Sequence, residues 1–445
     1  MQTNIAQAPA AAGHLPDDAV DQLYRRVRWR LLPLLFISYL FAFLDRVNIG
    51  FAQLQMKQAI GVTDAQYGLA AGVFFVGYAL FEVPSNFLFG RVGARRTFLR
   101  IMVLWGMCSS ATLFITAPWQ LYVLRFLLGV FEAGFFPGVI LYLTYWFPRS
   151  RRGSTTGIFL MATVAAGMVG APLSGAVLQW MDGALGLQGW QWLFLLMGLP
   201  TCVLGVFCYC FLDDRPADAH WLDASERAWI DAQIREEERE HQIRAQAIPA
   251  ASTFGDPQVY LLSFIYFALT AAGYGINFWL PTLIRGAGVA NYASIGLLAL
   301  IPSTLAAISI VLVSWHSDRV RERQWHFLAC VGAGALGLAL ATATTSLSGL
   351  VAAIAFANMG ATTAIALFWS LPPTYLDARR APVGIALIST IGTLSGFVLP
   401  SLMGAMKVWS GSLAPGILLI VVLLVLAAFL AWRFVARRAF AVGSK

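Results

Sequence analysis

Apolar runs long enough to cross a lipid bilayer recur along the whole chain. A membrane-spanning helix needs about 20 mostly apolar residues. Twelve such runs lie at about 31–55, 68–90, 98–117, 119–147, 154–180, 189–212, 258–284, 291–315, 325–345, 347–371, 381–405 and 411–436. Only 12% of the 445 residues are charged, about half the share in a soluble domain. We therefore predict an all-α membrane protein with twelve transmembrane helices.

One charged stretch divides the apolar runs into two sets of six. Residues 213–257 hold eleven acids and five arginines, and the segment from Trp221 to Arg244 has helical spacing with alternating charge, which is typical of a solvated helix. We predict a cytoplasmic N-terminal segment at 1–30, a six-helix bundle at 31–212, a cytoplasmic linker at 213–257, a second six-helix bundle at 258–436 and a cytoplasmic tail at 437–445.

The positive charges are distributed unevenly between the two sides of the predicted membrane domain. Outside the linker, twenty Lys and Arg residues flank the runs on the side of the termini, against Lys57, Arg285 and Lys407 on the other. The positive-inside rule then places both termini in the cytoplasm. We expect a bacterial inner-membrane protein in which the positive charges behind the net charge of +8 fix the orientation and do not serve nucleic-acid binding.

The two halves carry similar residues at similar positions. Arg151-Arg152, Gly157-Ile158, Pro172 and Trp180 recur 227 to 229 residues later as Arg379-Arg380, Gly384-Ile385, Pro400 and Trp409. Parallel halves with a binding site between them are a transporter architecture. The spacing predicts two pseudo-symmetric six-helix bundles.

Several motifs resemble those of one transporter family, the major facilitator superfamily, and within it the anion:cation symporter branch. They are FLDRVNIGFA at 43–52, FEVPSN at 81–86, RVGARR at 91–96, RFLLGVFEAGFFPG at 125–138, SDR at 317–319, FWSLPPTYL at 368–376 and GIALISTIGTLSGF at 384–397. The resemblance implies proton-driven uptake of small organic anions without a bound cofactor. Members of the branch handle sugar acids, tartrate, phthalate and hydroxyphenylacetate. In the last motif, relatives often have Asn where this chain has Ser389 and Thr393.

Five charged side chains fall well within the apolar runs of the first half, and the second half has none at comparable depth. A charge at the bilayer centre costs about 2.5–3.5 kcal/mol on insertion scales, so each must face a partner or a watery cavity. We therefore expect the ion chemistry in the first bundle. The five residues are Asp45, Arg46, Glu82, Arg125 and Glu132.

Three of these charges suit the binding and coupling steps of a symporter. Arg46 would bind the substrate carboxylate through its planar fork, and Glu132 and Asp45 would carry protons. The alternative is a structural ion-pair network between the first and fourth helices.

The remaining charges are expected to hold or gate the helices. Arg125 would lie near Asp45 in a structural role. Glu82, close to the cytoplasmic end of the second helix, would meet Arg100 or the loop arginines. Asp318 and the loop arginines would form cytoplasmic latch contacts.

Neutral residues of the second half are candidates for the substrate-binding surface. Tyr274 and Asn277 lie one turn apart in a glycine-rich segment, a pattern typical of transporter sites. Asn358, Thr362 and Trp369 share one helix face, and Ser389 and Thr393 are four residues apart. Tyr274, Asn277 and Trp369 are the stronger candidates. The alternative for each is a hydrogen bond between helices.

We predict a monomeric secondary transporter for proton-coupled symport of a small organic carboxylate by alternating access. The alternatives are an organic-anion exchanger and a drug or metabolite efflux antiporter. We do not expect an enzyme, because no nucleophile motif or phosphate loop is present. We expect no metal site either, because the five histidines lie outside the membrane centre.

Overall fold

The computed structural model describes residues 16–245, 254–376 and 381–435. Within these ranges the chain is helical without a strand, and twelve helices have the length and composition to cross a membrane. The predicted fold class is confirmed. The first six are α1 (Asp17–Val47, continued by Ile49–Ala59), α2 (Asp64–Val92), α3 (Ala94–Ala111), α4 (Pro118–Glu132, continued by Phe135–Trp146), α5 (Arg149–Trp180) and α6 (Gly189–Phe211).

The second six helices follow a separate, polar helix. This linker helix, Ala224–Ala245, agrees with the predicted helix at 221–244. The others are α7 (Pro257–Gly286), α8 (Tyr292–Val320), α9 (Gln324–Ala343), α10 (Leu347–Phe368), α11 (Ala381–Thr393, continued by Ser395–Ser410) and α12 (Ala414–Phe434). The end of the molecule that carries the linker helix is called the linker end below, and the opposite end the distal end.

The first helix begins at Asp17 and not near residue 31, as predicted. Leu23, Tyr24 and Val27 form a buried stripe along the additional turns, and the Tyr24 ring lies 5.8 Å from the ring of Trp229 in the linker helix. The prediction missed these turns because the charged residues between the stripe positions interrupt the apolar run.

The linker helix docks on the first bundle. Trp221, just before the helix, stacks on Trp146 with ring centroids 5.9 Å apart, and Ile230 is fully buried. Glu237 lies 3.4 Å from Arg152 and accepts a hydrogen bond from the backbone N–H of Arg149. The charged linker thus packs as part of the first bundle's surface.

Three helices that begin at the distal end have side-chain caps. The Thr63 hydroxyl accepts from the backbone N–H of Gln66 at the start of α2. Asn291 and Ser346 cap α8 and α10 in the same manner. Each cap satisfies an N–H that the helix itself leaves unpaired, so these helices begin at defined residues.

The two bundles meet backbone to backbone in the distal half. A Cβ on Gly68 of α2 would overlap the Pro400 carbonyl oxygen of α11, and a Cβ on Gly404 would overlap the Asp64 carbonyl oxygen. Gly175 of α5 and Gly296 of α8 form a matching contact on the other side. Small residues permit such close approach of membrane helices.

A charged cluster joins the bundles at the same end. The Asp64 carboxylate forms ion pairs with Lys57 at the end of α1 and, at 3.2 Å, with Lys407 of α11. The Lys407 ammonium also lies 5.7 Å from the ring centre of Trp279 in α7. The distal end is therefore closed by both packing and charge.

We expect Gly68→Val to open the distal end, because the backbone of α11 cannot move aside as a flexible side chain could. Overpacking of this kind costs about 1–3 kcal/mol or more. Spin labels at Gln58 and Ser412 should report a longer distance than in the unsubstituted chain, and the Tm should fall. Gly90→Val is the matched control, since it lies in the same helix with open space around its Cβ. An unchanged distance in Gly68→Val would contradict the expectation.

Candidate functional site

The centre of the molecule contains one ion pair between α1 and α4. Arg46 Nη2 lies 2.5 Å from Glu132 Oε1, and the two side chains are 12% and 2% exposed. Both charged residues lie next to a break in their helix. The α-helical pattern of α1 is interrupted at Asn48, and that of α4 is interrupted directly after Glu132. Two residues that the sequence assigned separate functions are thus direct partners.

Aromatic rings surround the Arg46 guanidinium. Its central carbon lies 5.3 Å from the ring centres of both Phe74 and Tyr78 and 6.0 Å from that of Phe43. Tyr274 of α7, from the second bundle, lies beside the same guanidinium. Ring faces attract a cation without neutralising it, so Glu132 is the one carboxylate paired with Arg46 among the described residues.

Asp45 faces away from Arg46 into the first bundle. Its side chain is fully buried and accepts hydrogen bonds from Trp105 Nε1 at 2.7 Å, Ser109 Oγ at 2.5 Å and Asn48 Nδ2 at 3.1 Å. All three donors are neutral, and no arginine or lysine of the described ranges forms an ion pair with it. The carboxylate is satisfied by α1 and α3 alone.

Arg125 supports the backbone of α1. It is 2% exposed, and its Nη1 and Nη2 lie 3.5 Å and 3.4 Å from the carbonyl oxygens of Asp45 and Arg46. The expected proximity to Asp45 is therefore through the backbone and not through the carboxylate. The guanidinium is buried between these carbonyl oxygens and the Phe74 ring, whose centre lies 5.2 Å from its central carbon.

The two predicted gating residues form no ion pair with Arg46 or Glu132. Asp318 pairs at 2.6 Å with Arg323 of its own loop. Glu82 is half-buried without an ion-pair partner in the described part of the chain, and Arg100 instead reaches Ser85 Oγ at 3.4 Å. The structure thus does not bring Glu82 to Arg100 as the sequence suggested.

The neutral candidates of the second half lie in four places. Tyr274 stands beside Arg46, whereas Trp369 packs edge-on against Tyr266 at 4.8 Å between ring centres. Ser389 and Thr393 are half-buried in the first segment of α11. Asn277 is exposed, and its Nδ2 donates to the carbonyl oxygen of Gly273 at 2.8 Å.

Asn277 lines a cavity of about 170 Å³ between the bundles. Five helices contribute to its wall, namely α1, α5, α7, α8 and α10. The polar lining residues are Thr163, Asn277, Ser303, Asn358 and Thr362, and Phe43 forms the wall towards Arg46. The sequence did not single out Thr163 and Ser303. An isolated hydroxyl residue in an apolar helix does not indicate which neighbouring helix its side chain will contact.

The chain has clear relatives. The profile of the Major Facilitator Superfamily matches residues 35–400. A protein of Agrobacterium vitis named "Putative tartrate transporter" is 40% identical over 94% of this chain and 92% of its own length. A "Quinolone resistance transporter" of Acinetobacter baumannii is 40% identical over 90% of this chain and 92% of its own length.

A solved structure has the same fold. It is a bacterial homolog of the human lysosomal transporter Spinster, with a TM-score of 0.72, 19% sequence identity and coverage of 94% of this chain and 99% of that one. At this identity the likeness concerns the fold alone. Together with the family match and the relatives, it shows that the chain belongs to the Major Facilitator Superfamily and is a multi-pass membrane transporter, not an enzyme.

Proposed function

We propose that this transporter is a proton-coupled symporter that takes up a small organic carboxylate. The observation that carries the proposal is the ion pair between Arg46 and Glu132 in the middle of the membrane domain. A guanidinium can bind a carboxylate through two parallel hydrogen bonds. In the structure Arg46 binds Glu132 through one hydrogen bond, from Nη2 to Oε1, and a substrate carboxylate would take the place of Glu132 on the guanidinium.

Competition for Arg46 couples the proton to the substrate. While Glu132 is charged, it occupies the guanidinium. When Glu132 binds a proton, it no longer neutralises Arg46, and the substrate anion becomes the better partner. Release of the substrate on the other side returns Arg46 to Glu132, which then gives up its proton. One proton and one carboxylate thus move together.

Asp45 is the second proton site in this proposal. Its carboxylate accepts three neutral hydrogen bonds, so protonation would break no ion pair. It would instead weaken the contact between α1 and α3 beside Arg46. Asp45 would act on the position of α1 and not on the substrate directly.

The remaining predicted residues complete the binding surface. Tyr274 would contact a carboxylate held by Arg46, since it lies beside that guanidinium. Asn277, Trp369, Ser389 and Thr393 would contact the rest of the substrate from the second bundle. We propose that the protein binds it as a monomer and needs no cofactor.

The closed distal end supports an inward-facing state. We place both termini in the cytoplasm and the protein in the bacterial inner membrane, because the arginines cluster at the linker end. The close contacts of α2 with α11 and of α5 with α8 then shut the periplasmic side. Alternating access requires these contacts to open while the linker end closes.

We expect reciprocal distance changes at the distal end and the linker end of the interface between the bundles. Spin labels at Gln58 and Ser412 should separate when labels at Phe87 and Ala386 approach, as acid pH and substrate shift the population between the two states. Electron–electron double resonance in lipid nanodiscs measures both pairs. Constant distances at both ends, with and without substrate, would rule out the cycle.

The name of the Acinetobacter relative supports efflux as a second candidate. Uptake and efflux differ in the direction of proton-driven flux. Purified protein in proteoliposomes with an acidic exterior should accumulate a labelled carboxylate if it is a symporter. Accumulation that requires the opposite gradient would identify an antiporter, and exchange without any gradient effect would identify an anion exchanger.

A further inference from the structure

We infer that the cavity lined by Asn277, Thr163 and Thr362 binds the uncharged, hydroxyl-bearing end of the substrate. The transporter would therefore prefer hydroxylated monocarboxylates to dicarboxylates of the same chain length. This inference rests on the proposed function, because it assumes that Arg46 holds a carboxylate.

The cavity is placed to receive the far end of a molecule bound at Arg46. The Phe43 ring is shared, since it lies 6.0 Å from the Arg46 guanidinium carbon and also lines the cavity. A ligand that extends from Arg46 past this ring enters the cavity. At about 170 Å³, the space equals roughly six water molecules of ~30 Å³ each. That volume suits a short hydroxylated chain.

The charge distribution disfavours a second carboxylate in this space. The lining residues include no Lys, Arg, Asp or Glu. Arg46 supplies one cationic fork, and Arg125 is buried against the backbone of α1. A second carboxylate would lose its hydration without gaining a cation, which is far more costly than burying a hydroxyl that finds a partner.

The hydrogen bonds within the cavity leave mainly acceptors for the ligand. The Thr163 hydroxyl donates to the Leu160 carbonyl oxygen at 2.8 Å, and the Thr362 hydroxyl donates to Asn358 Oδ1 at 3.2 Å. With their protons used, both hydroxyl oxygens keep lone pairs. Asn277 donates one of its two Nδ2 hydrogens to the backbone of α7, and its Oδ1 stays available as a further acceptor. Such acceptors suit the O–H groups of a ligand and repel carboxylate oxygens.

Threonate and tartrate form a matched ligand pair for the test. Both are hydroxylated four-carbon acids, and they differ in one end group, a CH₂OH in threonate and a second carboxylate in tartrate. Calorimetric titration of the purified protein at one pH should show threonate binding at least about tenfold more tightly. Lactate, which lacks the distal hydroxyls, serves as the carboxylate reference.

Thr163→Val and Thr362→Val test the lining directly. Each replaces a hydroxyl by a methyl of the same shape, so each should weaken threonate binding roughly three- to tenfold, the effect of one lost hydrogen bond. Lactate affinity should not change. Thr144→Val is the matched control, because the Thr144 hydroxyl makes the same kind of bond, to the Leu141 carbonyl oxygen at 2.6 Å, but lies outside the cavity.

The outcomes separate the two levels of the proposal. Equal binding of tartrate and threonate, or unchanged threonate affinity in both cavity variants, would overturn the subsite while leaving carboxylate binding at Arg46 intact. If none of the three acids binds, the subsite is overturned, and uptake of other labelled carboxylates into proteoliposomes then tests the proposed function separately. Weakened lactate binding in the cavity variants would also contradict the assignment, since it would indicate a general disturbance of the site.

Discussion

Replacing Glu132 by Gln is expected to abolish proton-driven accumulation of the substrate while leaving binding and exchange intact. Gln has the shape of the protonated acid and cannot release a proton. Arg46 would then lack the carboxylate that competes with the substrate. Concentrative uptake in proteoliposomes should fall by at least about tenfold, whereas counterflow of labelled against unlabelled substrate, which needs no proton release, should continue.

The same preparation distinguishes coupling from a structural function. If the pair between Arg46 and Glu132 only holds α1 to α4, Glu132→Gln should lower the Tm or the expression, and the surviving protein should still accumulate substrate. Glu237→Gln controls for the loss of an arginine–glutamate pair, because Glu237 of the linker helix pairs with Arg152 in the first turn of α5, far from Arg46 and Glu132. Undiminished accumulation in Glu132→Gln would transfer the coupling to Asp45.

Replacing Arg46 by Lys should weaken substrate binding strongly although the charge is kept. An ammonium lacks the planar fork that binds both oxygens of a carboxylate, so an exchange at such a site is not conservative. We expect at least about tenfold lower affinity, equivalent to ~1.4 kcal/mol, by calorimetric titration. Arg125→Lys gives the contrast, since Arg125 contacts backbone oxygens and should affect the Tm more than the affinity.

Removal of the Arg46 side chain needs a second change to be informative. Arg46→Ala alone leaves Glu132 buried without its counterion, which is strongly destabilising. The double variant Arg46→Ala, Glu132→Gln removes both charges and should fold. We expect it to show no measurable binding of any carboxylate. Near-normal affinity in this folded double variant would refute Arg46 as the anion-binding residue.

The number and order of the helices were predictable from the sequence. A helix that crosses the bilayer satisfies its backbone polar groups internally and needs about 20 mostly apolar residues to match the hydrocarbon core, so each span appears as a long apolar run. The same reasoning failed at the start of α1, where residues from Asp17 onward lie outside the apolar core of the span. There the helix packs against the linker helix, as in the contact between Tyr24 and Trp229. The hydropathy of neighbouring residues does not predict a contact between residues this far apart in the sequence.

The charged residues of the candidate site were also predictable, but their partners were not. Arg46 and Glu132 stood out because an unpaired charge in a membrane is costly. Their pairing depends on how α1 and α4 are rotated against each other. Asp45 and Arg46 are neighbours in sequence and lie about 100° apart around one helix, yet the first bonds to Trp105 and Ser109 and the second to Glu132.

The sequence by itself determined the membrane fold, its two halves and the few charged residues whose burial in the bilayer is energetically costly. Only the tertiary structure decided which side chains line the same cavity. Thr163 of α5 and Thr362 of α10 line one cavity with Asn277 of α7, although about 200 residues separate the first two along the chain. Helical periodicity sets the direction of a side chain within its own helix, whereas the packing of small residues such as Gly68 and Gly175 sets the distances between helices.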